Sequence, residues 1–257
     1  MFKRLIAPAF AALLAVTAPV LAQSAPPTPE ERARIESMIR DYLLKNPEIL
    51  QEALVELEKR QAQAEDRARA AAFAANRDAL YRSPNQIVLG NPQGDVTLVE
   101  FFDYNCGFCK RALPETLELL RSDSRLRIVL KDFPVLGQGS VEAAQVAVAL
   151  KMQIAPPKYL EFHQKLLGGR GQANGARAME VAREVGADMT RLQRDMQSPQ
   201  VQQTLAENMR LAEMLRINGT PTYVVGDEVV VGAVGLEKLR ENLARARTAC
   251  AAQPNMC

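Results

Sequence analysis

Val99-Glu-Phe-Phe-Asp-Tyr-Asn-Cys106-Gly-Phe-Cys109-Lys-Arg-Ala-Leu-Pro114 decides how this chain folds, because an apolar strand runs straight into two cysteines separated by two residues. If Gly107 and Phe108 form the first turn of a helix, the two sulfurs come within reach of a short-loop disulfide. Cys106 then stands at the helix N-terminus, where unpaired backbone N–H groups and the positive end of the helix dipole favour a thiolate. It is the expected attacking sulfur. Cys109, one turn on, is the expected resolving thiol, closing the disulfide on Cys106 and releasing a mixed-disulfide partner. Pro114 falls inside the same helix and is expected to kink it. A Cys-x-x-Cys pair is also half of a zinc site or a plain structural disulfide. The chain has one histidine, four cysteines and no second Cys-x-x-Cys, which argues against zinc.

On either side of this stretch the pattern is that of short strands. Gln86 to Leu89 reads as one strand, Gly90 to Asp95 as turn chemistry and Val96 to Phe102 as a buried central strand. Arg125 to Lys131 is the next. From Gly139 to Asn218 nearly everything reads helical, an insertion of about 139–217. Thr222 to Val225 and Val229 to Val231 then form a hairpin around Gly226-Asp227-Glu228, and Leu236 to Ala249 is a last helix. The order β-β-α-β, helical insert, β-β-α places the chain in the α/β class.

Towards the N-terminus, Lys3 and Arg4 precede an apolar run from Leu5 to Val20, the pattern of a secretory signal peptide over 1–22 with cleavage after Ala22. Pro8 and Pro19 and the shortness of the run argue against a membrane anchor, which needs about 20 apolar residues. Export to the periplasm is expected, an oxidising compartment in which close-spaced cysteines pair unless a reductant reaches them. Removing 1–22 takes the chain from a net charge of +2 to balance, with no basic excess to argue for nucleic acid. Residues 23–82 then form a helical arm. A Pro-rich start leads to Thr28, which can cap a helix with Pro29 at its first position and Glu31 closing a capping box. Ile35, Met38, Ile39, Tyr42 and Leu43 line one face of that helix. Asn46-Pro47 starts a second, running to about Leu80, with a seam of Leu50, Leu54 and Leu57 followed by an Ala-rich half. Such a helix either packs against copies of itself or is a solvated spacer.

Strand, Cys-x-x-Cys, helix with an internal proline, helical insertion, and Gly219-Thr220-Pro221 opening a hairpin together resemble the thioredoxin superfamily, specifically its DsbA-like branch. The resemblance covers roughly 84–250. It implies a thioredoxin fold with an inserted helical domain over 83–257, and a cis Pro221 facing the Cys106 sulfur, with the Thr220 backbone free to bond an extended peptide. Gly107-Phe108 and Thr220 stand where DsbA oxidases usually carry Pro-His and Val, and look more like disulfide isomerases. A milder oxidant is therefore expected, since no cationic histidine supports the Cys106 thiolate. With its N-terminal arm the chain is similar to the ScsC (suppressor of copper sensitivity) proteins. This implies a homotrimer built through the arm, misoxidised or unfolded protein substrates, and a membrane electron donor of the DsbD or ScsB kind.

Glu100, six residues before Cys106, has its carboxyl either buried near Cys109 or turned to solvent; the family has an acid at this place, and a buried one can take the Cys109 proton. Lys131 at the end of the next strand can pair with Glu100, although a surface lysine is the default reading. His163 reads as a structural residue rather than a base. Cys250 and Cys257, flanking Pro254-Asn255, read as a structural disulfide. No cofactor is expected. Three functions follow: a periplasmic disulfide isomerase or reductase, a DsbA-like dithiol oxidase, or a protein that binds Cu(I) at Cys106 and Cys109 or acts as a chaperone.

Overall fold

The computed structural model describes residues 27–252, so the expected signal peptide and Cys257 lie outside the described residues. The chain divides into two compact units between Gln61 and Ala62. Over its described residues the first unit is helical, comprising α1 (Pro29–Lys45) and the opening part of α2 (Glu48–Tyr81). Thr28 forms the expected capping box, its hydroxyl accepting from Glu31 N at 3.3 Å while its own N–H donates to Glu31 Oε2 at 2.9 Å. No residue of α1 is buried. Ile35, Met38, Ile39 and Tyr42 are all exposed, as are Leu50, Leu54 and Leu57 on α2, so the apolar seam has no cover among the described residues.

The compact second unit begins earlier than the expected boundary at 82 and 83. Residues 62–81 belong to it because Phe73, Leu80 and Tyr81 are buried with Val99, Phe101, Val129, Leu211 and Val224. The Tyr81 hydroxyl also donates to the Gly226 carbonyl in the hairpin turn. Beyond α2 come β1 (Ile87–Gly90), β2 (Val96–Phe102), α3 (Gly107–Ser122) and β3 (Leu126–Asp132). The insertion follows as α4 (Gln138–Lys151), α5 (Pro156–Leu167), α6 (Gly175–Glu184), α7 (Met189–Met196) and α8 (Pro199–Met214). Last come β4 (Thr222–Val225), β5 (Glu228–Val231) and α9 (Leu236–Ala252). Pro114 lies inside α3, which continues past it to Ser122.

The sheet order is β1-β3-β2-β4-β5, with β2 and β3 parallel and the other pairs antiparallel. Every residue of β2 is buried, which is why it reads as an unbroken apolar run. Its side chains alternate between two cores. Leu98 and Phe102 join α3, α9 and the insertion on one face, while Val99 and Phe101 join α2 and the end of α8 on the other.

This alternation overturns both readings of Lys131, as a surface lysine and as a partner of Glu100. The register sets Lys131 opposite Phe101 and Glu100 opposite Leu130, so the two side chains leave opposite faces of the sheet. Lys131 is fully buried, donates to the Ala79 carbonyl at 2.9 Å and lies 3.8 Å from Glu207 Oε1. It ties α2 to the sheet.

Asp132, next along β3, is buried with Oδ1 free of any hydrogen bond. Burial, helped by the charge of Asp103, pushes its carboxyl up to about 8. The folded chain therefore holds a proton that the unfolded chain releases, and stability is lost as pH climbs from the ordinary carboxylate range through about 8. Asp132→Asn removes this dependence. The Tm of the variant relative to the parent is expected to rise steadily from pH 5 to pH 9, by several degrees in all, at about 2–4 °C per kcal/mol; a constant difference across that range would contradict it.

Candidate active site

β2 ends at Phe102, and a short turn through Asp103, Tyr104 and Asn105 delivers Cys106 to the N-cap of α3. The turn is closed by Cys106 N donating to the Asp103 carbonyl at 3.0 Å. Cys106 Sγ accepts from Cys109 N at 3.3 Å, so the sulfur itself caps the helix. It also lies 3.1 Å from the Thr220 carbonyl oxygen, to which the thiol donates. The Thr220–Pro221 peptide is cis, and the Gly219 and Pro221 carbonyls accept from Thr222 Oγ1 at 2.7 Å and Gly232 N at 2.8 Å. Cys106, Cys109, Thr220 and Pro221 thus converge. Both cysteines are free thiols and buried, Cys106 at 4% exposure and Cys109 at 0%.

The two thiols sit in different surroundings. Burial pushes the Cys109 thiol far up, and the neighbouring Cys106 and the Glu100 charge push the same way, against a hydrogen bond to the Asp103 backbone. Cys109 therefore needs a base to give up its proton. Glu100 lies on the same face, 1% exposed, accepting from Thr116 Oγ1 at 3.2 Å. Burial pushes its carboxyl up to about 7; the Thr116 bond opposes the shift and the Glu115 charge adds to it. A carboxyl poised near neutrality can both take and return a proton.

Three further residues of the site carry no signal in the sequence. Thr116 supplies the hydroxyl on Glu100. Tyr223 pairs with Glu100 across β2 and β4, its buried hydroxyl pushed far up by burial and by the Glu100, Cys109 and Glu115 charges, against the opposing effect of the Thr116 hydroxyl. Asp103 accepts from Asn105 N at 2.7 Å, Ser140 Oγ at 2.7 Å, Val135 N at 2.9 Å and Leu136 N at 3.0 Å. Register and loop closure bring these groups together, and neither is visible in spacing along the chain.

His163 is buried against Phe102, ring centroids 4.8 Å apart, with Nδ1 3.4 Å from the Tyr104 hydroxyl. Burial holds it neutral, down to about 3, as suits a structural residue. Cys250 is buried and disulfide-bonded on α9. Among the described residues no group of three or more His, Cys, Asp or Glu side chains forms a metal site, and no helix is long and apolar enough to cross a membrane.

A family model described as a DSBA-like thioredoxin domain matches residues 97–244, and one described as the copper resistance protein ScsC N-terminal domain matches 31–64. A thioredoxin-like oxidoreductase from Silicibacter pomeroyi is similar at 47% identity, the match covering 67% of this chain and 98% of that one with a TM-score of 0.64. A linker-deleted mutant of Proteus mirabilis ScsC is similar at 25% identity over 88% of this chain and 99% of that one, TM-score 0.65. A curated relative, the Na(+)/H(+) antiporter NhaA 1 of Salinispora arenicola, is 28% identical over 154 residues; the match covers 59% of this chain and only 23% of the antiporter's length. Antiport is a description of that protein alone.

Proposed function

The chain belongs to the DsbA-like thioredoxin family, a family of thiol-disulfide oxidoreductases, and on that premise we propose that it is an exported, periplasmic disulfide isomerase or reductase for misoxidised proteins. One observation carries the choice of isomerase over oxidase: the Cys106 sulfur is held by a backbone N–H and faces a backbone carbonyl, and among the described residues no cationic side chain bonds it. Without such a cation the reduced form gains less, and the dithiol is a milder oxidant. Its reduction potential against glutathione is expected to lie well below the roughly −120 mV of DsbA. A value at or above that level would favour the oxidase.

In this reading the Cys106 thiolate attacks a substrate disulfide, one S–S bond breaks as another forms, and a substrate thiolate leaves. That thiolate can attack a second substrate disulfide, and a returning substrate sulfur then releases Cys106, which is net isomerisation. Alternatively Cys109 passes its proton to Glu100 and attacks Cys106, so that the substrate leaves reduced and the dithiol oxidised. A membrane electron donor then restores the dithiol. The Thr220–Pro221 backbone holds the substrate strand beside Cys106.

The exposed seam of Ile35, Met38, Ile39, Tyr42, Leu50, Leu54 and Leu57 supports an arm that assembles copies of the chain, a trimer being favoured. Several dithiols sharing one client act by effective concentration rather than new contacts. By light scattering the mature chain is expected at about three chain masses, and a chain beginning at Ala62 at one. The cut is placed there because Phe73, Leu80 and Tyr81 are needed in the core of the second unit. One chain mass for both would reduce the arm to a spacer.

A further inference from the structure

The rim of the dithiol carries three cations that form no ion pair among the described residues. Lys110 and Arg111 follow Cys109 directly, and the first turn of α3 holds no acid. Lys110 Nζ donates to the Gly169 carbonyl at 3.2 Å and the Gly171 carbonyl at 3.3 Å. Both carbonyls belong to the loop between α5 and α6, so Arg170, exposed between them, stands on the same rim. The end of that loop is fastened beside Cys106 by Asn105, whose amide donates to the Ala173 carbonyl and accepts from Ala173 N, each at 2.8 Å. Arg111 lies 4.2 Å over the ring of Phe108, which is itself 56% exposed.

Glu115, one turn on from Arg111 in α3, makes no ion pair with it, and burial pushes its carboxyl up, against a hydrogen bond to the Gly235 backbone; other acids of the insertion have partners of their own. Glu161 pairs with Lys158 and Lys165, and Glu184 with Lys165 and Arg177. Glu142 on α4 accepts from Gln138 and from the Gly175 N–H. Among the described residues Lys110, Arg111 and Arg170 make no ion pair, although most exposed cations on the insertion and on α9 do. Unpaired charge on the rim, out of bonding contact with the Cys106 sulfur, raises the local concentration of segments of opposite sign and disfavours those of like sign.

We propose that this rim selects disulfides whose cysteines are flanked by acidic residues in an extended protein segment, with Phe108 offering an apolar contact beside the charges. The proposal rests on the thiol-disulfide reading above and names the substrate class of that same site. The chemistry is unchanged: the reduced dithiol gives two electrons to the substrate disulfide, becoming a disulfide while two substrate thiols leave.

The test uses the reduced mature chain in single turnover with two cystine-linked peptides, alike except for Asp or Lys on either side of the cysteine. Each rate is divided by that for the uncharged bis(hydroxyethyl) disulfide. The Asp peptide is expected to react about tenfold faster than the Lys peptide at low salt, with the ratio falling towards one at about 0.5 M salt. In the Arg111→Glu, Arg170→Glu double variant the preference is expected to vanish or invert. Equal rates in the parent, or a preference that survives the charge reversal, would overturn the proposal. No reaction of the parent with the uncharged disulfide would instead remove the exchange reading on which it rests.

Discussion

A Cys106→Ser chain loses disulfide exchange by about a thousandfold or more while keeping its fold. The serine hydroxyl replaces the sulfur between Cys109 N and the Thr220 carbonyl, so the helix cap is retained. What is lost is the thiolate, the species that attacks sulfur, since an alcohol is hardly ionised near neutrality. Cys109 cannot substitute for it. It is fully buried, and burial pushes its thiol far up, so a free substrate disulfide neither reaches it nor meets a thiolate. Cys109→Ser has the complementary effect: the first attack proceeds and the mixed disulfide on Cys106 accumulates. Reduction of bis(hydroxyethyl) disulfide, with unfolding curves for both variants, checks the pair. Substantial exchange by Cys106→Ser would show that the reaction runs through another group.

Glu100→Gln separates activity from stability in opposite directions. With its carboxyl pushed up to about 7, Glu100 is partly ionised at neutrality and can take the Cys109 proton as the resolving attack begins. The amide cannot, and release of the mixed disulfide is expected to slow by about a hundredfold near pH 7. In the parent this step accelerates as pH rises through about 7, and in the variant that inflection is absent. The stability sign is opposite. Because the folded-state value lies above the ordinary carboxylate range, the parent loses stability as pH rises from that range through about 7. The amide removes this loss, so the variant gains on the parent as pH rises to 8. Rapid-mixing rates and Tm measured across pH 5–9 read both effects. A variant that is slower only because it is less stable would show Glu100 to be structural.

The sequence carried the parts of the site that are contiguous in it. Val96 to Phe102 is buried on both faces of the sheet and therefore reads as an unbroken apolar run, and Cys106 must cap α3 once that strand ends four residues earlier. The helices of the insertion are bounded by residues whose local chemistry is strong: Asn174 and Asp188 accept from the N–H groups of Arg177 and Arg191, and Pro156 and Pro199 open α5 and α8.

Tertiary register was not legible. Glu100 and Lys131 are plausible partners along the chain, yet parallel pairing turns them to opposite faces, and Tyr223 meets Glu100 only because β4 runs antiparallel to β2. Phe73, Leu80 and Tyr81 are three anchors in a helix otherwise rich in alanine and charge, too sparse to show where the compact unit begins. Asp103 gathers donors from two elements at once. Its four bonds follow from the closure of the β3–α4 connection onto the dithiol turn, which no local pattern encodes.

This dithiol is expected to rearrange wrong disulfides rather than install new ones, and scrambled ribonuclease separates the two. Catalytic amounts of the reduced mature chain are expected to restore ribonuclease activity through many turnovers, with Cys106→Ser inert. No recovery from the scrambled enzyme, together with rapid oxidation of fully reduced ribonuclease by the disulfide form of the chain, would contradict the account and assign the site to an oxidase.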